Sequence, residues 1–482
     1  MAAVERGIIS FLVAVLAYFA YIENERLLVL VISREYKALN RLEEVIGDSK
    51  SKYTRVAVGV NANVDVIVSA TKTFSKLGLQ PSNKPQDHSE ITSLQELEQC
   101  FAYYFERCAA AERFVSSKEV FEQIVQAATN VDGSQFDVGG NAALMGLKML
   151  YSNPNSTVLL GGPVGKRLKS MLDGRIVIPK QLLQEEDEYH LILEYPRGES
   201  WGEKKSNCAN RFIISHDKAN GQMAALDNFF NSLESFQPEL VVISGLHLLE
   251  GQTEEIRKTK LEDLRHHLRA IEEDTPIHLE LASMTSPKLM EDIAYMIFPM
   301  VDSVGLNEQE LAFLSSSLNG PGGKEELTQS PPEIGLMADI LDWALNTFGR
   351  NTRYGGASSR LTRIHFHCLI YHVICVHEGY WGNALAATAA GSRAASRQAC
   401  DKEDVSTSEL ELRTPEYFAR SVQNWQLRRN LVKHDDANPV TQWTNNHLNF
   451  YFSAVLVCKK PKRTVGLGDC ISATGLQQSK FL

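Results

Sequence analysis

The chain has 482 residues, of which 44% are hydrophobic and 22% are charged. That composition is typical of a folded globular protein and excludes general intrinsic disorder. With 59 acidic against 49 basic residues, the formal net charge is −10, which argues against a nucleic-acid partner. We therefore expect the partners to be small molecules.

The N-terminus carries a candidate targeting segment. An apolar run over residues 7–22 follows Arg6 and is a little short for a membrane-spanning helix of ~20 residues. It is typical of the hydrophobic region of a secretory signal, although no small-residue cleavage site follows. We expect residues 1–22 to be a signal peptide or an uncleaved anchor, with a mitochondrial or structural helix as the alternative. Residues 23–52 are charged and indicate a connector.

The cysteine pattern and a glycosylation sequon bear on the compartment. The eight cysteines include no CxxC pair, so most are expected to be small buried side chains, and one or two disulfides remain open. The sequon at residues 155–157 (Asn-Ser-Thr) is compatible with a lumenal or secreted protein.

Residues 53–482 are expected to form the folded part of the chain. Residues 55–70 are β-branched and apolar, which predicts a buried strand of a parallel sheet. Residues 94–114 and 116–128 have helical periodicity, and residues 136–150 run from a glycine pair into a further helix.

The next part of the chain contains two kinds of strand pattern. Residues 175–215 contain alternating strands separated by turn residues, which indicates an inserted antiparallel subdomain. Strands alternate with helices in residues 240–311, which predicts a doubly wound parallel sheet. The predicted fold class is therefore α/β, with a smaller β-rich lid made of inserted segments at roughly 70–135 and 175–220.

The C-terminal third gives weaker signals. His365 and His367 alternate with apolar residues on one strand, so both face one side. A metal site, a wall of a nucleotide pocket and a role in the core all remain open for this pair. Residues 401–447 are polar and irregular, which indicates surface structure, and residues 448–458 predict a strand pair.

The motif with the clearest chemistry is Gly-Leu-Gly-Asp at residues 466–469, followed by a helical segment. Two glycines allow a tight turn that presents backbone N–H groups at a helix start, where unpaired donors and the helix dipole favour an anion. The negative charge of Asp469 next to a bound anion would be electrostatically unfavourable. Its presence there is explained if the carboxylate accepts a proton from a hydroxyl group. The simpler interpretation is a turn in which Asp469 caps the helix.

Nine motifs together resemble the eukaryotic ADP-dependent glucokinases, a branch of the ribokinase-like sugar kinases. They occur in order over residues 53–476 and read GVNANVD, VGGNAAL, HLILEY, ANRFIISHD, SGLHLLEGQ, HLELASM, GLNEQEL, LTRIHFH and TVGLGD. The apolar N-terminus also suits this family, whose members are directed to the endoplasmic reticulum. Cys470, Thr474 and the last six residues depart from the family pattern, which affects the expected C-terminal packing.

The resemblance implies roles for the residues that would act on the phosphoryl group. Asp469 would be the general base that takes a proton from the sugar hydroxyl. Backbone N–H groups of the Gly-Leu-Gly turn would hold the transferred phosphoryl, and Arg211 would clamp the phosphates. The residues of that turn are Gly466, Leu467 and Gly468.

The resemblance also implies a sugar site and a metal site. Asp65, Gly140 and Asn141 would bind glucose hydroxyls, with Glu112 and His190 as further candidates; packing is the alternative for His190. One Mg²⁺ per subunit would be held, directly or through water, by carboxylates, since this ion keeps several waters and uses one or two carboxylates. Those carboxylates are Glu280, Glu310 and Asp469.

The expected function is therefore an ADP-dependent glucokinase that converts ADP and D-glucose into AMP and glucose 6-phosphate. The chain is expected to act as a monomer in the endoplasmic reticulum, lumenal or anchored through residues 7–22, or after secretion. Two alternatives remain, namely an ATP-dependent sugar kinase of the same fold and an inactive lumenal binding protein. Four retained residues argue against the second, since loss of catalysis would be expected to remove at least one of them. They are Asp469, Glu310, Glu280 and Arg211.

Overall fold

The structure is a computed structural model that describes residues 18, 33–47, 53–109, 111–351, 358–429, 431–462 and 466–482. The expected signal or anchor at residues 1–22 lies outside the described residues, apart from position 18. No helix within the described ranges is both long and apolar enough to cross a bilayer.

The strands are numbered along the chain. They are β1 (Arg55–Gly59), β2 (Asn63–Ser69), β3 (Glu90–Ile91), β4 (Ala111–Val115), β5 (Gln135–Gly139), β6 (Thr157–Gly161), β7 (Ile176–Val177), β8 (Tyr189–Tyr195), β9 (Ser200–Trp201), β10 (Lys204–Lys205), β11 (Asn210–Ser215), β12 (Leu240–Ile243), β13 (Ile277–Glu280), β14 (Ser303–Asn307), β15 (Arg363–His367), β16 (Tyr371–His377), β17 (Trp381–Gly382), β18 (Leu410–Leu412), β19 (Tyr417–Phe418), β20 (Val432–Lys433), β21 (Val440–Asn445), β22 (Leu448–Ala454), β23 (Leu456–Cys458) and β24 (Lys480–Phe481).

The α-helices are numbered in the same way. They are α1 (Arg34–Ile46), α2 (Ala70–Lys76), α3 (Leu94–Arg107), α4 (Lys118–Thr129), α5 (Asn141–Ser152), α6 (Lys166–Met171), α7 (Lys218–Gly221), α8 (Leu226–Phe236), α9 (Glu254–Arg269), α10 (Pro287–Met296), α11 (Glu308–Ser317), α12 (Lys324–Leu327), α13 (Ile334–Phe348), α14 (Ala384–Cys400), α15 (Trp425–Arg429) and α16 (Leu467–Gln478).

A ten-stranded sheet, the large sheet, has the order β21-β22-β16-β15-β14-β13-β12-β1-β6-β7. The strands from β7 to β15 run parallel, and β16, β22 and β21 continue the sheet antiparallel. Its central strands are apolar on both faces because helices cover both sides. In β12, Val241 and Ile243 join one core, while Leu240 and Val242 join the other. The predicted doubly wound α/β sheet is confirmed.

A second, six-stranded sheet, the small sheet, has the order β3-β4-β11-β8-β2-β5. Residues 55–70 were expected to form one strand of the large sheet, and this prediction is wrong. The segment breaks after Gly59, so β1 lies in the large sheet and β2 in the small one. Both halves are rich in valine, and each is buried in its own sheet. The small sheet therefore begins before the expected lid boundary at residue 70.

Two further expectations differ from the structure. The predicted helix over residues 94–114 ends at Arg107, and Ala111–Val115 forms β4 beside β11. Residues 401–447, expected to be irregular, include the edge strand β21 of the large sheet.

Cys400 and Cys458 form a disulfide, which answers the open question about bridges within the described residues.

Candidate active site

The carboxyl ends of the central parallel strands meet the start of helix α16. Glu280 ends β13, Asn307 ends β14 and His367 ends β15. In open α/β sheets this edge is where ligands bind. Helix α16 begins at Leu467 and brings Asp469 to the same place, as its hydrogen bond from Asn141 and its electrostatic coupling to Glu280 show.

Glu280 is a buried carboxylate that accepts hydrogen bonds on both oxygens. His278 Nε2 lies 2.9 Å from Oε2, His367 Nε2 lies 3.0 Å from Oε1, and the Ser472 hydroxyl donates to Oε2 at 2.6 Å. Burial alone would raise the pKa of Glu280, but the two histidines outweigh it and hold the pKa at about 2. Glu280 is therefore a fixed negative charge at the sheet edge.

Glu310 lies beside it in the first turn of α11 and completes a capping box. Its side chain accepts from the backbone N–H of Asn307 at 2.7 Å and from the Asn307 amide at 2.8 Å. Burial, with the charges of Glu280 and Asp469, raises the pKa of Glu310 to about 8. Ionising all three carboxyl groups in this buried region is therefore unfavourable, and a bound cation would lower that cost.

The Gly-Leu-Gly-Asp turn has the geometry expected of an anion site. Gly466 has φ of +67°, a conformation that favours glycine, and it precedes the first turn of α16. A Cβ on Gly468 would lie 2.6 Å from Cε1 of His367, so only glycine fits there without displacing that ring. The first N–H groups of the helix have no intrahelical acceptor and can bind an anion.

Asp469 is 8% exposed and lies in this first turn. The side-chain amide of Asn141, the first residue of α5, donates to its Oδ1 at 3.0 Å. Burial raises the pKa of Asp469 to about 6, and the nearby charge of Glu280 adds to this rise. At neutral pH the carboxylate is mostly ionised yet poised to accept a proton, as a general base requires.

On the small-sheet side, β2 and β5 present Asp65 beside a glycine pair. Asn63 donates to Asp65 Oδ1 at 2.6 Å, and burial raises the pKa of Asp65. A Cβ on Gly139 would lie 2.1 Å from Asp65 Oδ1, so the carboxylate occupies the space above that residue. Gly140 has φ of +82° and caps α5, which carries Asn141. The structure therefore brings Asp65, Gly140 and Asn141 together.

His190 pairs with Asp65 across the parallel strands β2 and β8. Its Nε2 lies 2.8 Å from Oδ2 of Asp217, a buried residue that caps α7. Burial alone would lower the pKa of His190, but Asp217 raises it to about 9, with help from the charges of Glu112 and Asp65. His190 therefore carries a positive charge, and Glu112 is an exposed residue of β4 near it.

Arg211 lies on β11, in register with Glu194 of β8, and its side chain is exposed. Among the described residues, no hydrogen bond or ion pair of its guanidinium is found. The side chain is thus available for a ligand, and its role as a phosphate clamp stays a prediction.

The metal prediction can be compared with the donors present. No three acidic, histidine or cysteine side chains in the described part of the chain could hold a metal ion by themselves. Glu280 and Glu310 already accept hydrogen bonds, so a cation held partly through water fits them better than direct binding by all three carboxylates. The carboxylate chemistry suits Mg²⁺.

The sequence left several neighbours of the site unassigned. His278 and His367 orient Glu280, while His365 bonds His372 at 2.9 Å inside the core and has no contact with that carboxylate among the described residues. Asn61 accepts from the backbone N–H of Ala142 at 3.1 Å and ties the end of β1 to α5. The only available signal for Asn61 was its position in the GVNANVD motif.

The large sheet with a second sheet beside its ligand edge defines a ribokinase-like α/β protein. A phosphofructokinase from Pyrococcus horikoshii OT3, solved with AMP, has a TM-score of 0.66 at 18% identity and covers 89% of this chain and 98% of its own. At that identity the likeness concerns the fold alone.

Sequence comparison then gives the family. The conserved region of ADP-specific phosphofructokinase/glucokinase matches residues 54–478. An ADP-dependent glucokinase of Bos taurus is 47% identical over 430 residues, which cover 89% of this chain and 85% of that protein. A probable ADP-dependent glucokinase of Caenorhabditis elegans is 38% identical, covering 91% of this chain and 88% of that protein. The chain belongs to the ADP-specific phosphofructokinase/glucokinase family.

Proposed function

We propose that the protein is an ADP-dependent glucokinase. It transfers the β-phosphoryl group of ADP to the 6-hydroxyl of D-glucose and releases AMP and glucose 6-phosphate. The observation that carries this proposal is the buried Asp469 at the glycine turn of α16, hydrogen-bonded to Asn141. The names of the Bos taurus and Caenorhabditis elegans relatives support the choice of ADP and glucose.

The sugar is held between the two sheets. Asp65, Asn141 and the backbone at Gly140 hydrogen-bond its hydroxyls, since they lie beside Asp469 through α5 and β5. His190, held by Asp217, and Glu112 complete this wall from the small sheet. Closure of the small sheet over the glucose excludes water, which protects the phosphoryl group from hydrolysis.

Proton transfer belongs to Asp469. As the phosphoryl group arrives, the 6-hydroxyl oxygen of glucose forms the new P–O bond, and its proton passes to the carboxylate. The bond to the AMP oxygen breaks, and that oxygen leaves with its electron pair. Because the pKa of Asp469 is about 6, the acid formed can return its proton to water after product release.

The transferred phosphoryl group sits at the start of α16. Backbone N–H groups of Gly466, Leu467 and Gly468 face its oxygens, and the helix dipole favours the negative charge there. Arg211 reaches the phosphates from the small sheet. Glu280, Glu310 and Asp469 would hold one Mg²⁺ per subunit, partly through water, and the ion would supply positive charge against the phosphates.

The setting of the enzyme is part of the same proposal. The apolar segment over residues 7–22 directs the chain to the endoplasmic reticulum as a signal or an anchor, and the protein acts as a monomer. The Cys400–Cys458 disulfide supports an oxidising compartment, where such bonds persist.

The test is a coupled assay for glucose 6-phosphate on protein lacking residues 1–22, which keeps helix α1, with myokinase inhibited so that ADP and ATP cannot interconvert. We expect turnover with ADP, Mg²⁺ and glucose, and one AMP for each glucose 6-phosphate. Equal or faster turnover with pure ATP would instead identify an ATP-dependent sugar kinase of this fold. No turnover with either donor would favour the alternative of an inactive binding protein.

A further inference from the structure

Two half-buried cysteines lie against each other at one end of the small sheet. Cys108 caps the C-terminus of α3, and Cys208 stands two residues before β11. Both are free in the structure, and the other four free cysteines are buried. These two are therefore the free thiols that solvent can reach. The binding and catalytic roles described above use neither of them.

Their contacts hold the two residues side by side. Sγ of Cys208 lies 3.6 Å from the backbone carbonyl oxygen of Cys108. The side-chain amide of Asn210 donates to the same oxygen at 2.8 Å, which ties the start of β11 to the end of α3. The two thiol groups also act on each other, since Cys108 raises the pKa of Cys208. The sulfur atoms are thus neighbours although 100 positions separate the residues in sequence.

The strands that follow the two cysteines are also neighbours. β4 and β11 pair in parallel, with Ala111 opposite Phe212. Ala111 comes three positions after Cys108, and Phe212 comes four positions after Cys208, so the two segments enter the sheet together. Adjacent strands lie ~4.8 Å apart, within the ~4.4–6.8 Å between Cα atoms that a disulfide spans. The spacing of the two segments therefore suits a disulfide.

A bound metal ion is another use for a pair of thiols, and the surroundings argue against it. A structural zinc site takes four cysteine or histidine ligands. Within the ranges that the structure describes, no group of three metal-ligating side chains is found. Two thiols without a third ligand favour a covalent bond to each other.

We propose that Cys108 and Cys208 form a second disulfide, made by exchange with a small disulfide of the glutathione class. One protein thiolate attacks the glutathione disulfide and displaces a glutathione thiolate, which leaves a mixed disulfide on the protein. The second protein thiolate attacks the protein sulfur of that bond and displaces the other glutathione. The two protein thiols lose two electrons and two protons, which are recovered in two molecules of reduced glutathione.

The bond links two strands that carry residues of the candidate site. Glu112 lies on β4, four positions after Cys108, and Arg211 lies on β11, three positions after Cys208. A disulfide restricts the unfolded chain more strongly when it closes a longer loop. The bond therefore stabilises the part of the small sheet that carries Arg211. This inference concerns the two thiols alone and stands whether or not the proposed glucokinase reaction is correct.

The first experiment maps the bond on the full chain. The protein is incubated with oxidised glutathione, the remaining thiols are alkylated under denaturing conditions, and a non-reduced tryptic digest is analysed by mass spectrometry. Basic residues flank both cysteines, so the expected product joins peptides 108–113 and 206–211. We also expect four free thiols, two fewer than the six in the structure.

Three results of this mapping would overturn the proposal. The first is that all six thiols remain free after the incubation. The second is a separate glutathione adduct on each of the two cysteines, with no peptide pair. The third is a bond that joins either residue to a different cysteine.

Matched variants then measure what the bond does. Oxidised glutathione should raise the Tm of the wild type by an amount on the order of 4 °C, because the bond closes a loop of 100 residues. Cys208→Ser and Cys108→Ser should both lack this rise. Cys100→Ala removes a buried thiol from the same helix, α3, and should keep it. A rise of equal size in Cys208→Ser, or no rise in the wild type, would contradict the proposal.

Discussion

The ion pair between His190 and Asp217 makes the stability of the protein depend on pH in a direction that can be calculated. The histidine side chain is 14% exposed and that of Asp217 is 2% exposed, so solvent screens the pair little. The pKa of His190 rises from 6.5 to about 9 because Asp217 outweighs the effect of burial. At 1.36 kcal/mol per pKa unit, this corresponds to about 3 kcal/mol.

The sign follows from linkage. Since the pKa of His190 is higher in the folded protein than in the unfolded chain, the folded state holds the proton more tightly. The added stability is complete below pH 6.5 and is lost as the pH rises through about 9. Asp217→Asn should abolish most of it while keeping the cap of α7.

The assay is urea unfolding at pH 6 and pH 9.5. The difference in unfolding free energy between wild type and Asp217→Asn should be larger at pH 6 by about 3 kcal/mol. The matched control is Asp227→Asn, since Asp227 lies 2.8 Å from His267 but is 71% exposed, and such exposed pairs contribute ~0–1 kcal/mol. A difference between wild type and Asp217→Asn that is the same at both pH values would refute the reasoning.

Three further predictions concern the site and its frame. Gly468→Ala should displace His367 from Glu280, lowering activity and costing ~1–3 kcal/mol of stability, measured by denaturation and the coupled assay. Cys400→Ser, which opens a bridge across 58 residues to Cys458, should lower the unfolding free energy by ~2–4 kcal/mol. Glu310→Gln should lower activity and raise the Mg²⁺ concentration needed for half-maximal rate.

Each of these predictions has its own control. Gly251→Ala should be nearly neutral, since a Cβ there meets nothing within 4 Å. A reducing agent should destabilise wild type more than it destabilises Cys400→Ser; equal sensitivity would count against the disulfide between Cys400 and Cys458. Glu308→Gln removes a charge from the same helical turn as Glu310 and should not change the Mg²⁺ requirement. If Glu310→Gln also left it unchanged, the metal would lie elsewhere.

The sequence predicts the sheet class and the site motifs because those signals are local. A β-branched strand followed by polar residues, and a glycine turn at the start of a helix, each need only a few neighbouring positions. The break between β1 and β2 is different. Valines fill both segments, so hydrophobic pattern cannot separate them, and only pairing with β12 and β5 places each in its own sheet.

Contacts between distant segments could not be predicted from the sequence either. The two histidines that set the pKa of Glu280 include His367, which is 87 positions away along the chain. Ala111–Val115 is a strand because β11 lies beside it, although its own residues continue a helical pattern. Similarly, nothing in the spacing of the cysteines identifies Cys400 and Cys458 as partners.

The most direct test of the central claim is the turnover number of Asp469→Asn. Asparagine has nearly the same shape and can still accept the hydrogen bond from Asn141, but it cannot take the proton of the 6-hydroxyl. General-base catalysis contributes ~10²–10⁴-fold, or ~3–5 kcal/mol on the barrier. We expect kcat to fall by that factor with glucose affinity nearly unchanged and the fold intact by circular dichroism. A folded Asp469→Asn that kept more than a tenth of the wild-type kcat would contradict the account and leave Asp469 as a structural residue in the first turn of α16.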